Sequence, residues 1–129
     1  MIEIDVEEET IVVLRYCSQE ALDSLGTLDV LKVNGGLFLY SCTGLTELPD
    51  DLKVNGSLNL YNSEELTRLP DGLRVAGRLD LRYCAGITML PEDLNVDGGI
   101  WYNSETGFFD RKDEPGVIPD HLKNKLMKF

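Results

Sequence analysis

The chain of 129 residues carries 12 Lys and Arg against 23 Asp and Glu, a formal net charge of −11. Its length fits one domain with a modest core. Its charge argues against direct binding of nucleic acid or an anionic membrane, where a basic footprint is expected. The acidity permits a basic partner or mimicry of a polyanion, and solubility alone also accounts for it.

Residues 1–30 are expected to form an N-terminal cap. Ile2, Ile4 and Val6 alternate with Glu3 and Asp5, the acidic turn Glu7-Glu8-Glu9 follows, and Ile11-Val12-Val13-Leu14 makes a second apolar run. This pattern predicts two short strands, with a hairpin as one way to pair them. Ser18 to Leu25 predicts a helix, with Ser18 as N-cap and Gly26 ending it. MIEIDVEEE lacks a basic start and an apolar stretch, and no apolar run approaches about 18 residues, so neither signal peptide nor transmembrane helix is predicted. The expected location is the cytoplasm, or a host cytoplasm after delivery. Residues 1–31 hold eight acids and one base, so the acidic excess is concentrated here.

From Leu31 the chain repeats itself: LKVNGGLFLYSCTGLTELPDD, LKVNGSLNLYNSEELTRLPDG, LRVAGRLDLRYCAGITMLPED, and then LNVDGGIWYNSETGFFD, which loses register. Val33, Val54, Val75 and Val96 stand 21 apart, as do Gly35, Gly56, Gly77 and Gly98. Further columns are Leu37, Leu58, Leu79 and Ile100; Leu39, Leu60, Leu81 and Tyr102; and Leu45, Leu66, Ile87 and Phe108. Leu48-Pro49, Leu69-Pro70 and Leu90-Pro91 close each unit. Matched columns at one period predict a stacked array over residues 31–110. Gly-x-Leu-x-Leu is a short alternating strand. A unit this small buries its apolar face only by stacking, with neighbouring parallel strands about 4.8 Å apart. The return segment is too short for a long helix, and its proline favours an extended path. The glycine ahead of each strand permits either a tight turn or a close approach of adjacent coils.

Leu37-x-Leu39-x-x-Cys42-x-x-Leu45 and Leu79-x-Leu81-x-x-Cys84-x-x-Ile87 resemble leucine-rich repeats, with Cys where many members carry Asn. The Leu-Pro ending resembles the short subtype of bacterial secreted effectors and of bacterial and phage proteins. The resemblance covers about residues 28–110 and implies a parallel sheet of about four rungs with mostly non-helical crossovers. It also implies protein recognition, with the target set by surface residues. Ser63 and Glu105 depart from the Cys column, so their rungs are expected to lack the buried polar contact to backbone that the family makes there. The effector relatives that act as ubiquitin ligases use a separate catalytic domain, for which this chain has no room.

Cysteines 17, 42 and 84 suggest a reducing compartment. Cys42 and Cys84 share a column two rungs apart, about 10 Å, beyond disulfide reach, and read as small buried core residues. Residues 111–129 predict a C-terminal cap. Arg111-Lys112-Asp113-Glu114-Pro115-Gly116 is an insertion. Ile118-Pro119-Asp120-His121-Leu122 then repeats the Leu-Pro phrase 28 residues after Leu90. Leu122 to Phe129 predicts a short basic helix presenting Leu122, Leu126 and Phe129.

With the leucines facing inward, the residues between them should form an exposed sheet face. Its columns are Phe38, Asn59, Asp80 and Trp101; Tyr40, Tyr61, Arg82 and Asn103; and Ser41, Asn62, Tyr83 and Ser104. Five aromatics at these positions and Arg82 are residue types that concentrate at binding hot spots. β-Propensity alone also places aromatics on strands. The expected contact set is Phe38, Tyr40, Asn59, Tyr61, Asp80, Arg82, Tyr83, Trp101 and Asn103, with Asn59, Asp80, Arg82 and Asn103 as the polar, orienting members. Catalysis finds little support, and neither a metal nor another cofactor is expected. His121, the only histidine, sits in a repeat phrase; there is no Cys/His metal spacing; and Asn34-Gly35-Gly36 and Asp97-Gly98-Gly99 are repeat turns without a phosphate-loop continuation. The loop acids Asp50, Asp51, Asp71, Glu92 and Asp93 lack a calcium-binding pattern. The sequence therefore predicts a non-enzymatic module that binds a protein partner through its aromatic sheet face. The alternative is an acidic inhibitor, of the phage counter-defence or anti-CRISPR kind, that mimics nucleic acid and blocks a basic protein. A homo-oligomer pairing its sheet faces or edges is a third option.

Overall fold

The computed structural model of the chain describes residues 2–4, 12–15, 31–33, 35–42 and 44–129, with side chains from residue 35 onward. The described residues form a β-solenoid in which each 21-residue unit contributes two short strands rather than one. In chain order these are β1 (Ile2–Ile4), β2 (Val12–Arg15), β3 (Leu31–Val33), β4 (Leu37–Tyr40), β5 (Lys53–Val54), β6 (Leu58–Asn59), β7 (Arg74–Val75), β8 (Leu79–Asp80), β9 (Asn95–Val96), β10 (Ile100–Tyr102) and β11 (Leu126–Lys128). A five-stranded sheet runs β1-β3-β5-β7-β9 and a six-stranded sheet runs β11-β10-β8-β6-β4-β2, all parallel. The repeat solenoid and its parallel strands match the sequence reading. The second sheet, built on the Lys-Val, Arg-Val and Asn-Val pairs, was not foreseen. Each repeat gives that sheet a single inward residue, Val54, Val75 or Val96, too few to show alternation.

The register follows the repeat. Leu37 pairs with Leu58, Leu58 with Leu79 and Leu79 with Ile100, and in the other sheet Val33 pairs with Val54, Val54 with Val75 and Val75 with Val96. A one-residue slip would turn every leucine outward, so burial fixes this register. Between the two sheets lie Leu37, Leu39, Leu58, Leu60, Leu79, Leu81 and Ile100, and the return arc adds Leu45, Leu66, Ile87 and Phe108, all buried. Leu52, Leu73 and Leu94 close the core beside the Leu-Pro turns. Truncating any of these leucines to Ala should cost about 2–5 kcal/mol.

The two sheets of one rung are joined through the glycine column, and close approach between coils is what it serves. Gly56 N–H donates to the Gly35 carbonyl at 3.0 Å, Gly77 to Gly56 at 2.9 Å and Gly98 to Gly77 at 3.0 Å. A Cβ on Gly77 would stand 2.9 Å from the Gly56 carbonyl carbon and 2.9 Å from the Ser57 nitrogen. Only a residue without Cβ lets coils stack at this distance.

The column headed by Cys42 satisfies buried carbonyls of the preceding rung. Ser63 Oγ donates to the Leu39 carbonyl (3.2 Å), Cys84 Sγ to that of Leu60 (2.9 Å) and Thr106 Oγ1 to that of Leu81 (2.8 Å). This corrects the expectation that the Ser63 and Glu105 rungs lack such a contact. Serine supplies a hydroxyl in place of the thiol. In the fourth rung the contact shifts by one position, leaving Glu105 exposed and buried Thr106 in the column's place, with Phe108 still 21 residues after Ile87. Cys84 is a free, buried thiol, and burial pushes its pKa up to about 12. Cys42 is a fully buried core residue, as the sequence reading has it, but a disulfide cysteine and not a free thiol, so the cysteine count no longer argues for a reducing compartment.

At the N-terminal side the two predicted strands are present, but they belong to different sheets. β1 pairs with β3 and β2 with β4, so the described strands extend the array and do not pair as a hairpin. The helix expected over Ser18 to Leu25 lies outside the described residues. At the C-terminal side, a 3-10 helix at Phe109–Arg111 occupies the insertion. Ile118, Pro119 and Leu122 then re-enter the core as the Leu-Pro phrase predicts. The helix expected over Leu122 to Phe129 is shorter and of another kind: a 3-10 helix spans Asp120–Lys125, and Leu126–Lys128 is a strand in register with β10. Leu126 packs against the core and Phe129 N–H donates to the Tyr102 carbonyl at 2.9 Å. The last rung thus skips the five-stranded sheet. His121 Nε2 lies 2.9 Å from the Leu94 carbonyl and donates to it. The equivalent carbonyls of Leu52 and Leu73 accept from Arg74 and Asn95 of the following rung. His121 is therefore an edge cap, the structural role its position in the repeat implies.

Candidate functional site

The outer face of the six-stranded sheet is where the sequence places its contact set, and the structure divides that set in two. Asn59, Asp80 and Asn103 are buried, at 3%, 0% and 7% exposure. They are not surface contacts, because each is consumed by the backbone. Asn59 Oδ1 accepts from Tyr61 N–H at 2.9 Å and Asp80 Oδ1 from Arg82 N–H at 3.1 Å, so both close the turn that ends their strand. Asn103 Oδ1 accepts from Glu105 N–H (3.1 Å) and from Tyr83 N–H (3.2 Å). In the earlier rungs the amides of Ser41 and Asn62 instead reach the carbonyls of Tyr61 and Arg82.

The second group is an aromatic cluster around one guanidinium. Arg82 binds Asp80 through Nη2 to Oδ2 at 2.7 Å and Nε to Oδ1 at 3.0 Å. A fully buried carboxylate is costly unless paired and hydrogen-bonded, and this forked pair meets that need. The hydrogen bond that Arg82 donates to Asp80 holds the Arg82 pKa above its ordinary value, against the opposing effect of burial. The guanidinium carbon lies 5.2 Å from the Tyr61 ring centre, 5.1 Å from Trp101 and 5.3 Å from Phe129. The Arg78 guanidinium carbon lies over the same Trp101 ring at 4.1 Å, with its buried Nε lacking a hydrogen-bond partner among the described residues. Trp101 and Phe129 are 4.4 Å apart, Tyr61 and Tyr83 meet edge to face at 5.1 Å, and Phe38 and Tyr40 lie nearly parallel at 5.9 Å. The partly buried cation–π contacts are each worth about 1 kcal/mol.

Three members of this face are absent from the sequence reading. Arg78 shares the outward parity of Asp80 and Arg82, a signal available in the alternation. Met127 and Phe129, at 48% and 53% exposure, arrive only because the chain end is a strand. Nothing in Leu122 to Phe129 marks that change, since Leu122, Leu126 and Phe129 also fit a helical face.

Tyr83 is the strained member. Its φ is +62°, in the left-handed region, where the same column holds Ser41 at +52° and Asn62 at +60°. Asn adopts that region readily, whereas a bulky aromatic there is uncommon and costs about 1–3 kcal/mol. The Tyr83 side chain is not buried in return, being 41% exposed.

Other groups offer less chemistry. Among the described residues no three His, Cys, Asp or Glu side chains converge to hold a metal, and no helix is long and apolar enough to cross a membrane. The exposed acids Asp50, Asp51, Asp71, Glu92 and Asp93 form a ridge along the Leu-Pro turns, where Asp93 Oδ2 accepts from Gly72 N–H at 2.8 Å. No protein-family model, curated protein or solved structure matches this chain.

Proposed function

We propose that the chain is a non-enzymatic recognition module whose six-stranded sheet binds a protein partner through Tyr61, Arg82, Tyr83, Trp101 and Phe129, flanked by Phe38 and Tyr40. The observation that carries this reading is Tyr83. A solvent-facing tyrosine in a left-handed backbone position weakens the fold where Asn62, one rung earlier, shows the easy solution. Strain kept at an exposed aromatic next to a pre-ordered Arg and Trp is the pattern of a contact surface. The resemblance to short Leu-Pro leucine-rich repeats supports the same reading, since that scaffold serves protein recognition.

The second reading is the acidic mimic, and the exposed ridge of Asp50, Asp51, Asp71, Glu92 and Asp93 favours it. Glu7, Glu8 and Glu9, which the same reading would use, lie outside the described residues. A cytoplasmic setting belongs with either proposal, and the Cys42 disulfide is the observation that speaks against it. Crosslinking capture from lysate with three proteins separates the readings: wild type, Tyr83→Asn/Phe129→Ala, and Asp71→Asn/Glu92→Gln/Asp93→Asn. A partner lost only with the aromatic variant supports the first proposal. One lost only with the acidic variant, and released by salt, supports the second. A partner that survives both removes both.

A further inference from the structure

The five-stranded sheet carries a second surface that the aromatic reading does not use. Its register places Lys32 beside Lys53, Lys53 beside Arg74 and Arg74 beside Asn95. Residues 32–110 contain six bases, and three of them stand in this one column. Neighbouring parallel strands are about 4.8 Å apart, so like charges at this spacing repel one another. An acid enters the column only at its N-terminal end, where Glu3 pairs with Lys32, and none stands beside Lys53 or Arg74. Lys53 and Arg74 are exposed and form no ion pair with any described residue. Arg82, Arg111, Lys112 and Lys123 all do.

These side chains wall a shallow groove of about 280 Å³ lined by Lys53, Asn55, Arg74, Ala76, Asn95 and Asp97 over the backbone of Val54 and Val75. Ala76 makes the depression, because it stands in the column between Asn55 and Asp97 and has the smallest side chain of the three. Of the charged residues lining the groove, Lys53 and Arg74 stand on adjacent strands and Asp97 lies two strands from Lys53, so the Lys53–Arg74 end is the cationic half. We propose that this groove is an anion site, in which Lys53 and Arg74 hold an oxyanion group, phosphate or carboxylate, free or carried on an acidic peptide. The ammonium serves as a point charge and the guanidinium as a planar fork, and together they match an oxygen-rich anion. A bound anion also removes the repulsion within the column. The net charge of −11 disfavours non-specific anion association, so a localised response is diagnostic.

The test is amide NMR of the ¹⁵N-labelled full chain titrated with sodium phosphate and, separately, with hexaglutamate, against sodium chloride at matched ionic strength. Saturable shifts at Lys53, Asn55, Arg74, Ala76 and Asn95 are expected, weakened about tenfold or more in Lys53→Gln/Arg74→Gln. Arg68→Gln removes an exposed cation in the return arc and should leave the titration unchanged. Tighter saturation by hexaglutamate than by phosphate identifies an acidic peptide as the source, and the reverse identifies a free oxyanion. Absence of saturable shifts with both probes, or equal shifts in the double variant that keeps the wild-type spectrum elsewhere, overturns the proposal.

Discussion

The two sheets are made from the same rungs and share one core, yet their outer faces are used differently. On the five-stranded sheet, Lys53, Arg74 and Asn95 project into solvent, and the C-terminal edge is ended by His121 and Lys125. On the six-stranded sheet, outward residues are drawn down. Asn59 and Asp80 are buried, Arg82 is held by Asp80 and three rings, and the edge is lengthened by β11. The inward columns are alike in both sheets because burial dictates them. The outward columns are under no such demand, so their divergence points to what the surface is for.

The largest effect comes from breaking what the sheets share. Gly77→Ala sets a Cβ against backbone atoms that cannot swing aside, and should lower stability by about 3 kcal/mol, read in urea unfolding. Gly36→Ala is the control, because the nearest atoms to its Cβ belong to the Phe38 ring, which can rotate. It should cost about 1 kcal/mol or less. Equal losses would mean that the glycine column is not the joint between coils.

The next effect is confined to the six-stranded face. Asp80→Leu leaves Arg82 N–H and the guanidinium without their acceptor and should cost about 2 kcal/mol. Asp80→Asn keeps the turn, as Asn59 does one rung earlier, and should cost about 1 kcal/mol while loosening Arg82 from its rings. The Trp101 fluorescence then changes in both variants. The same measurement on Lys53→Gln should show neither loss, since that side chain supports no contact of the fold. A comparable loss there would erase the distinction between the faces.

The contrast also marks what could be read beforehand. Inward leucines, valines and the glycine column were legible because each recurs at a fixed period and has one physical explanation. The five-stranded sheet was not, because each repeat gives it a single inward residue, Val54, Val75 or Val96, whereas Gly-x-Leu-x-Leu gives the other sheet two inward residues in alternation. The aromatic columns were legible as a face, but Asn59, Asp80 and Asn103 were read as surface residues from parity alone. Asx side chains at strand ends bond the next turn, and that local rule outweighs strand parity. The shift from Glu105 to Thr106 was hidden because the period of 21 holds on both sides of it, at Tyr102 and Phe108, and the neighbouring hydroxyls Ser104 and Thr106 are distinguished only by burial.

A smaller effect separates the core column from both faces. Ser63 and Thr106 do with hydroxyls what Cys84 does with a thiol, so Cys84→Ser should fold with a stability change near 1 kcal/mol at pH 7. The folded thiol is held protonated up to about pH 12, whereas an unfolded one ionises near 8.5. Between these values the folded state binds more protons, so this group's contribution is complete below the unfolded pKa and is lost as pH rises toward the folded one. Wild-type stability should therefore fall relative to Cys84→Ser between about pH 9 and 12. Parallel curves would show that the thiol is not sealed from water.

The smallest effect on stability bears most directly on function. Tyr83→Asn places in the left-handed position the residue that Asn62 already supplies one rung away. It loses the edge contact with Tyr61 at 5.1 Å, worth about 0.5–1.5 kcal/mol, and relieves strain of about 1–3 kcal/mol. The net should be a gain of about 0.5–1 kcal/mol, seen as a thermal midpoint higher by a few degrees. The same variant should lose the partner, because the exposed ring is what the strain retains. A variant that is more stable and still binds would mean that Tyr83 is tolerated rather than kept. The contact surface would then contract to Arg82, Trp101 and Phe129, whose ordering the fold already supplies.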